Sequence, residues 1–179
     1  DKVISTWSKI LLSVPKSKLV LKSSEFDDKK IINNTLEKFK LNNIDKDRLI
    51  FLGKSLNRKE VIATYNQIDI TLDPFPFQGV TTSCESIWMG VPVLVLKGNR
   101  YLAHFGEFIN SNINMQNWIA KSKDEYVSKA VKFSASLNEL SKIRMNLRKE
   151  FLDSPICNAK LLSENLSNTF WNLWKKFNS

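Results

Sequence analysis

Asp69-Ile-Thr-Leu-Asp-Pro-Phe-Pro-Phe-Gln-Gly-Val-Thr-Thr-Ser-Cys-Glu-Ser-Ile-Trp-Met-Gly-Val-Pro-Val-Leu-Val-Leu96 is the stretch that sets the fold of this chain. Ile68, Ile70 and Leu72 alternate with polar residues, residues 91–96 are nearly all apolar, and residues 82–89 between them have helical spacing that Gly90 stops. The pattern predicts a strand, a loop, a short helix and a second strand, long enough for a right-handed crossover within a parallel sheet. Loop 74–80 then lies at the carboxyl end of a strand, where open α/β sheets take their ligands. Gly79 allows close backbone approach, while Thr81, Thr82 and Ser83 offer N–H groups and hydroxyls at a helix N-terminus, a setting suited to an anion. The same letters also fit a scaffold, with Thr or Ser as an N-cap, Glu85 closing a capping box and Pro-Phe-Pro-Phe as a packed loop.

Upstream of this stretch, Val3, Trp7, Ile10, Leu11 and Val14 share a helical stripe that ends at Pro15, and Leu19-Val20-Leu21 follows as a short strand. Asp27 and Asp28 introduce a second helix to about Lys40, Leu49-Ile50-Phe51-Leu52 reads as a strand closed by Gly53, and Asn57 caps a third helix carrying Val61, Ile62 and Tyr65. Downstream, the polar segment 97–101 follows a strand, so Arg100 and His104 face the same rim as Thr81; a helix runs from about Ala103 to Asn110. Residues 124–137 and 140–152 read as amphipathic helices, and Leu161, Leu162, Leu166, Phe170, Trp171 and Trp174 form a terminal stripe, expected in a core or at a domain interface. This alternation predicts an α/β fold with a Rossmann-like, doubly wound parallel sheet, occupying residues 1–179 as a single domain.

At 179 residues and 42% hydrophobic, the chain can bury a core of its own. It has no run of about 18 apolar residues and no charged-then-apolar leader, so neither a membrane partner nor a signal peptide is expected, and the expected compartment is the cytoplasm. Cys84 and Cys157 are far apart, and His104 is the sole histidine, which argues against a metal centre and for free thiols. The net charge of +9 is spread over Lys29-Lys30, 121–132, 142–149 and Lys175-Lys176. Without a basic arm or a helix-turn-helix pattern, nucleic acid is not the expected partner, and the charges read as solvated helix faces.

The run 73–93 resembles the signature of the SPINDLY and O-GlcNAc transferase family, in which a similar Pro-x-x-Gly-x-Thr-Thr-x-x-Glu/Asp-x-Leu-Trp-x-Gly-x-Pro segment touches the sugar nucleotide. The likeness extends to Val14-Pro15 and Ser17 near the start, and to Arg144, Arg148 and Ser154-Pro-Ile-Cys-Asn158 near the end. It implies the C-terminal, nucleotide-binding half of a GT-B glycosyltransferase. The catalytic base, the facing N-terminal half and a tetratricopeptide array would lie outside this chain, which has no such repeat. The terminal helix, about residues 159–177, would pack against that N-terminal half.

The resemblance also assigns roles. Thr81 and Thr82 match the pair that bonds the donor diphosphate, and Glu85 matches the acid that holds ribose hydroxyls. Gly79, Val80, Arg58 and Arg100 complete the expected donor-binding set. Val80 stands where the mammalian-type enzyme has His, and the segment with Arg58, Val61 and Thr64 lacks that enzyme's His and Arg contacts. The implied function is the donor-binding half of an inverting, metal-independent protein O-glycosyltransferase, taking UDP-GlcNAc as substrate and Ser or Thr of a protein as acceptor, without a cofactor. Two alternatives stand beside it: a GDP-fucose-dependent enzyme of the SPINDLY type, and a non-catalytic nucleotide-binding or basic interaction domain with the same fold.

Overall fold

Strand and helix alternate through the computed structural model, which describes residues 1–178. The order is α1 (Lys2–Ser13), β1 (Leu19–Lys22), α2 (Lys29–Lys40), β2 (Leu49–Leu52), α3 (Arg58–Ala63), β3 (Thr71–Leu72), α4 (Thr81–Trp88), β4 (Val93–Leu96), α5 (Phe105–Asn112), β5 (Ile119–Ala120), α6 (Lys123–Ser134), α7 (Leu137–Leu152) and α8 (Ala159–Phe177). Every strand pair is parallel, as the crossover pattern predicts: β1 pairs with β2, and β4 lies between β3 and β5.

Local chemistry sets the boundaries. Asn57 accepts from the Glu60 N–H while the Glu60 carboxylate accepts from the Leu56 N–H, and Ser122 with Glu125 does the same at the start of α6. Arg48 donates to the carbonyls of Leu11, Val14 and Ser17, so a guanidinium at the entrance of β2 closes the end of α1. Gly90, at φ 78°, ends α4, and a Cβ there would lie 2.5 Å from the Arg144 carbonyl oxygen.

Side-chain alternation along β4 feeds two cores. Leu94 packs with Ile10 of α1, Trp118, Tyr126 of α6 and Leu140 of α7; Val93 and Val95 face the other way, toward Ile87 of α4, Ile109 of α5, Leu147 and Phe151. Helices therefore cover both faces of this sheet, which is what doubly wound means physically. A third cluster of Leu11, Phe39, Ile44 and Leu49 supports β1 and β2.

Three details differ from the sequence reading. The strand expected at residues 68–72 is confined to Thr71–Leu72, because Arg144 takes the carbonyls of Tyr65 and Ile68 at 2.8 and 2.7 Å. The two residues of β5 are too few to show any periodicity in sequence. Helix α8 has no buried residue, so its stripe is not core: Leu162, Phe170 and Trp174 are 59%, 65% and 60% exposed.

Replacing Gly90 by Ala places a side chain in a left-handed conformation against the Arg144 backbone. We expect a loss of at least about 1–2 kcal/mol, measured by urea unfolding of the purified chain.

Candidate functional site

The loop between β3 and α4 is held from beneath by two buried side chains. Asp73, 3% exposed, ends the strand; its N–H donates to the Leu94 carbonyl and its Oδ1 accepts from the Gly79 N–H at 2.9 Å. Gln78, 1% exposed, donates to the Leu96 carbonyl at 2.6 Å and accepts from the Gly106 N–H at 2.7 Å, fastening the loop to the end of β4 and the first turn of α5. At Gly79 a Cβ would come within 2.5 Å of Thr82 Oγ1, 2.7 Å of Ser83 Oγ and 3.2 Å of Asp73 Oδ1. The glycine is thus demanded first by the protein's own packing.

The start of α4 is left open. Val80 occupies the cap position and no side chain caps the helix; the first helical bond runs from the Cys84 N–H to the Val80 carbonyl. Asp28, Asn57, Ser122 and Asn158, by contrast, each cap a helix with a side-chain oxygen. Thr81 and Thr82 are exposed at this end, and their N–H groups point out along the helix axis, where the dipole favours negative charge.

The capping-box reading of Glu85 gives way to a different arrangement. Its carboxylate, 8% exposed, pairs through Oε1 with the Arg58 guanidinium at 2.5 Å and through Oε2 with the Tyr65 hydroxyl at 3.4 Å. That hydroxyl also donates to the Thr82 carbonyl at 3.1 Å. Burial first, and the Glu85 charge second, push the Tyr65 phenol up to about 12, so it remains a donor across the physiological range. Arg58, at the first position of α3, therefore joins Thr82 and Glu85 in one cluster through Tyr65, a residue the sequence singled out only as an apolar helix position. Ser86 ties the far side of α4 to β3, its Oγ lying 2.6 Å from Thr71 Oγ1 and donating to the Val91 carbonyl.

The second loop on the rim carries Arg100 and His104. His104 Nδ1 lies 2.7 Å from Glu107 Oε2, and Lys97 binds the other oxygen of the same carboxylate at 2.6 Å, which together hold Glu107 below the usual carboxylate range. Arg100 precedes a 3-10 turn, exposed to solvent, with no ion pair among the described residues. The structure thus gathers Gly79, Val80, Thr81, Thr82, Glu85 and Arg58 around one helix start, and leaves Arg100 on a separate loop. Asp73, Gln78 and Tyr65 were missed from sequence; the acid of Asp73, set directly after an apolar strand, was the available signal.

A parallel α/β sheet with an open helix N-terminus at a strand's carboxyl end, flanked by a buried carboxylate and a guanidinium, is an arrangement chemically suited to an anionic, hydroxyl-bearing ligand. Residues 1–166 match Glycosyl transferase family 41, and the chain belongs to that family. It is 34% identical over 98% of its length to the probable UDP-N-acetylglucosamine–peptide N-acetylglucosaminyltransferase SPINDLY of Arabidopsis thaliana, and equally to that of rice, Oryza sativa subsp. japonica. The chain spans 19% of each of these relatives. Among solved structures it superposes on a K341M mutant of Thermobaculum terrenum O-GlcNAc transferase with a TM-score of 0.90 at 27% identity, covering 98% of this chain and 34% of that one.

If Thr81 or Thr82 were a cap, its replacement by Ala would cost about 0.5–2 kcal/mol. With no side-chain cap at α4, both Ala variants are expected to unfold within about 0.5 kcal/mol of the wild type, whereas Tyr65→Phe, which frees the Thr82 carbonyl, should lose about 1 kcal/mol; thermal or urea melts of the three variants check the contrast.

Proposed function

We propose that this chain is the donor-binding half of an inverting, metal-independent protein O-glycosyltransferase that transfers N-acetylglucosamine from UDP-GlcNAc to Ser or Thr of an acceptor protein. The observation that carries the reading is the uncapped start of α4, set at the carboxyl end of β3 inside a family 41 sequence. In this reading the Thr81 and Thr82 N–H groups and hydroxyls bind the donor diphosphate, and Gly79 and Val80 shape the turn beneath it.

The chemistry follows from the leaving group. As the glycosidic bond breaks, negative charge collects on the diphosphate, and preorganised N–H donors with a helix dipole stabilise that charge in place, the part a divalent cation plays elsewhere. Glu85 would accept from the ribose hydroxyls with an oxygen now turned to Tyr65 or Arg58, and Arg58, 65% exposed, is placed to swing toward the phosphates. Arg100 would meet the donor from the second loop. The acceptor, the catalytic base and the facing half with its repeats would come from the rest of the protein, and α8 would pack on that half through Phe170, Trp171 and Trp174. Among the described residues no helix is long and apolar enough to cross a membrane, and a cytoplasmic protein is the proposed setting.

GDP-fucose is the alternative donor, left open by an apolar Val80, 43% exposed, beside the Thr pair where the mammalian-type enzyme has His. A basic interaction domain that keeps the fold without transfer is the third reading.

Titration calorimetry of the full-length protein with UDP-GlcNAc and with GDP-fucose separates these readings. The proposal expects UDP-GlcNAc to bind, Thr81→Ala and Thr82→Ala each to weaken binding about ten- to a hundredfold, and Glu85→Gln to weaken it as well, with a lowered melting temperature because the ion pair to Arg58 is lost. Preference for GDP-fucose selects the second reading, and no binding of either selects the third. Binding is expected to be the same with and without EDTA; affinity lost in EDTA and restored by magnesium would overturn the metal-independent mechanism.

A further inference from the structure

The side chain of Asp73 has one use in the fold and one oxygen left over. Oδ1 accepts from the Gly79 N–H at 2.9 Å, while Oδ2 is buried without a hydrogen-bond partner among the described residues. The carboxyl sits between two glycines: a Cβ on Gly79 would lie 3.2 Å from Oδ1, and a Cβ on Gly106 3.2 Å from Oδ2. It therefore lies beneath the starts of α4 and α5 at once, 3% exposed and with no ion pair among the described residues. A carboxylate in such a place is costly, because neither its charge nor its second oxygen is met.

Resting on the nucleotide-sugar reading of the site, we propose that Asp73 is the positioning residue of the diphosphate-binding turn and that it works as a neutral acid, holding the Gly79 N–H through Oδ1 without placing a negative charge under the donor. The two parts of this role come from different atoms. Oδ1 fixes the backbone of the turn and so the direction in which the Thr81 and Thr82 N–H groups point. The proton keeps the buried floor of an anion site uncharged. When Asp73 ionises, the turn remains held but the floor repels the diphosphate.

Burial is the first cause acting on this carboxyl and pushes it up to about 7, with the Gly79 hydrogen bond opposing. Charged and titratable groups stand on each of the surrounding elements. From α6, the Tyr126 hydroxyl donates to the Asp73 carbonyl at 3.1 Å, and burial raises its phenol far above neutrality; Lys123 lies over the Phe75 ring. From α4, burial raises the Cys84 thiol, and Glu85 is paired with Arg58. From α5, Glu107 is lowered by Lys97 and His104. His104, whose Nδ1 lies 2.7 Å from Glu107, is carried as a control.

The sign follows directly. Asp73 is protonated below about pH 7 in the folded chain, and a donor diphosphate favours that form; affinity is therefore full below pH 7 and falls as pH rises through it. The test is calorimetric titration of the full-length protein with UDP-GlcNAc and GDP-fucose from pH 5.5 to 8.5, since the diphosphate diester of either donor does not titrate there. Wild-type affinity should weaken above pH 7 with a slope approaching tenfold per unit, the limit for one proton. Asp73→Asn keeps an oxygen for the Gly79 N–H and has no charge to gain, so it should bind with the low-pH affinity throughout and show a flat profile. Asp73→Ala loses the clamp and has no charge to gain, so it should bind about tenfold more weakly than the wild type at pH 5.5, with a flat profile. A wild-type slope retained in Asp73→Asn, or lost in His104→Gln, overturns the proposal, as does wild-type affinity in Asp73→Ala at pH 5.5.

A separate readout needs no ligand. An aspartate raised from 3.8 to about 7 in the folded state makes the fold lose stability as pH climbs between those values. The folded-to-unfolded ratio of the wild type, divided by that of Asp73→Asn, should fall by up to tenfold per pH unit across this range; a constant ratio overturns the neutral-acid assignment. Failure of both donors to bind at any pH, with the ratio falling as stated, would reject the nucleotide-sugar reading and with it the positioning role, while leaving the neutral buried acid established.

Discussion

Strand β4 is covered on both faces and paired on both edges, and the need to satisfy its backbone shapes everything at the candidate site. Val93, Leu94 and Val95 are 1%, 0% and 0% exposed, so no solvent reaches the polar groups between them. The strand's carbonyls are met in turn by the Asp73 N–H at Leu94, the Asn110 side chain at Val93 and the Gln78 side chain at Leu96. Both ends of the 73–79 turn are therefore fastened to the same buried strand. The turn is not free to adapt to a ligand; it is built against β4, and the exposed start of α4 inherits its direction.

Much of this was legible in the residues. The alternation of apolar strand and amphipathic helix, Asn57 before Arg58 and Gly90 after Met89 announced the elements and the parallel topology, because each is a local preference that tertiary packing had no reason to override. What escaped reading depends on contacts across long sequence separations. The shortening of β3 is decided by Arg144, and no feature of residues 68–70 could announce that a guanidinium from α7 would take their carbonyl. Tyr65 counted as apolar by its ring, yet its hydroxyl links Thr82 to Glu85 from the 3-10 turn that follows α3.

Glu85 illustrates how one residue supports two local readings. A Glu a few positions after a pair of threonines is the spelling of a capping box, and at Glu60 and Glu125 that spelling holds. At Glu85 the carboxylate turns the other way, toward Arg58 and Tyr65, and α4 is left with bare N–H groups. The difference lies in spacing: Glu60 and Glu125 stand three residues after their caps, whereas the cap of α4 is Val80, five residues before Glu85.

Helix α8 carries a consequence of its own. Asn158 caps its first turn and Lys175 and Lys176 sit at the carbonyl end where cations complement the dipole, so its shape is written locally. Its nineteen residues, Ala159–Phe177, contain none that the remainder of the chain buries. Because synthesis runs from N- to C-terminus, this segment leaves the ribosome after β1 to β5 and the helices between them, already able to be a helix but with leucines and tryptophans uncovered. Until some other surface covers that stripe, it is the part of these residues with the most apolar surface for a nascent-chain chaperone to hold.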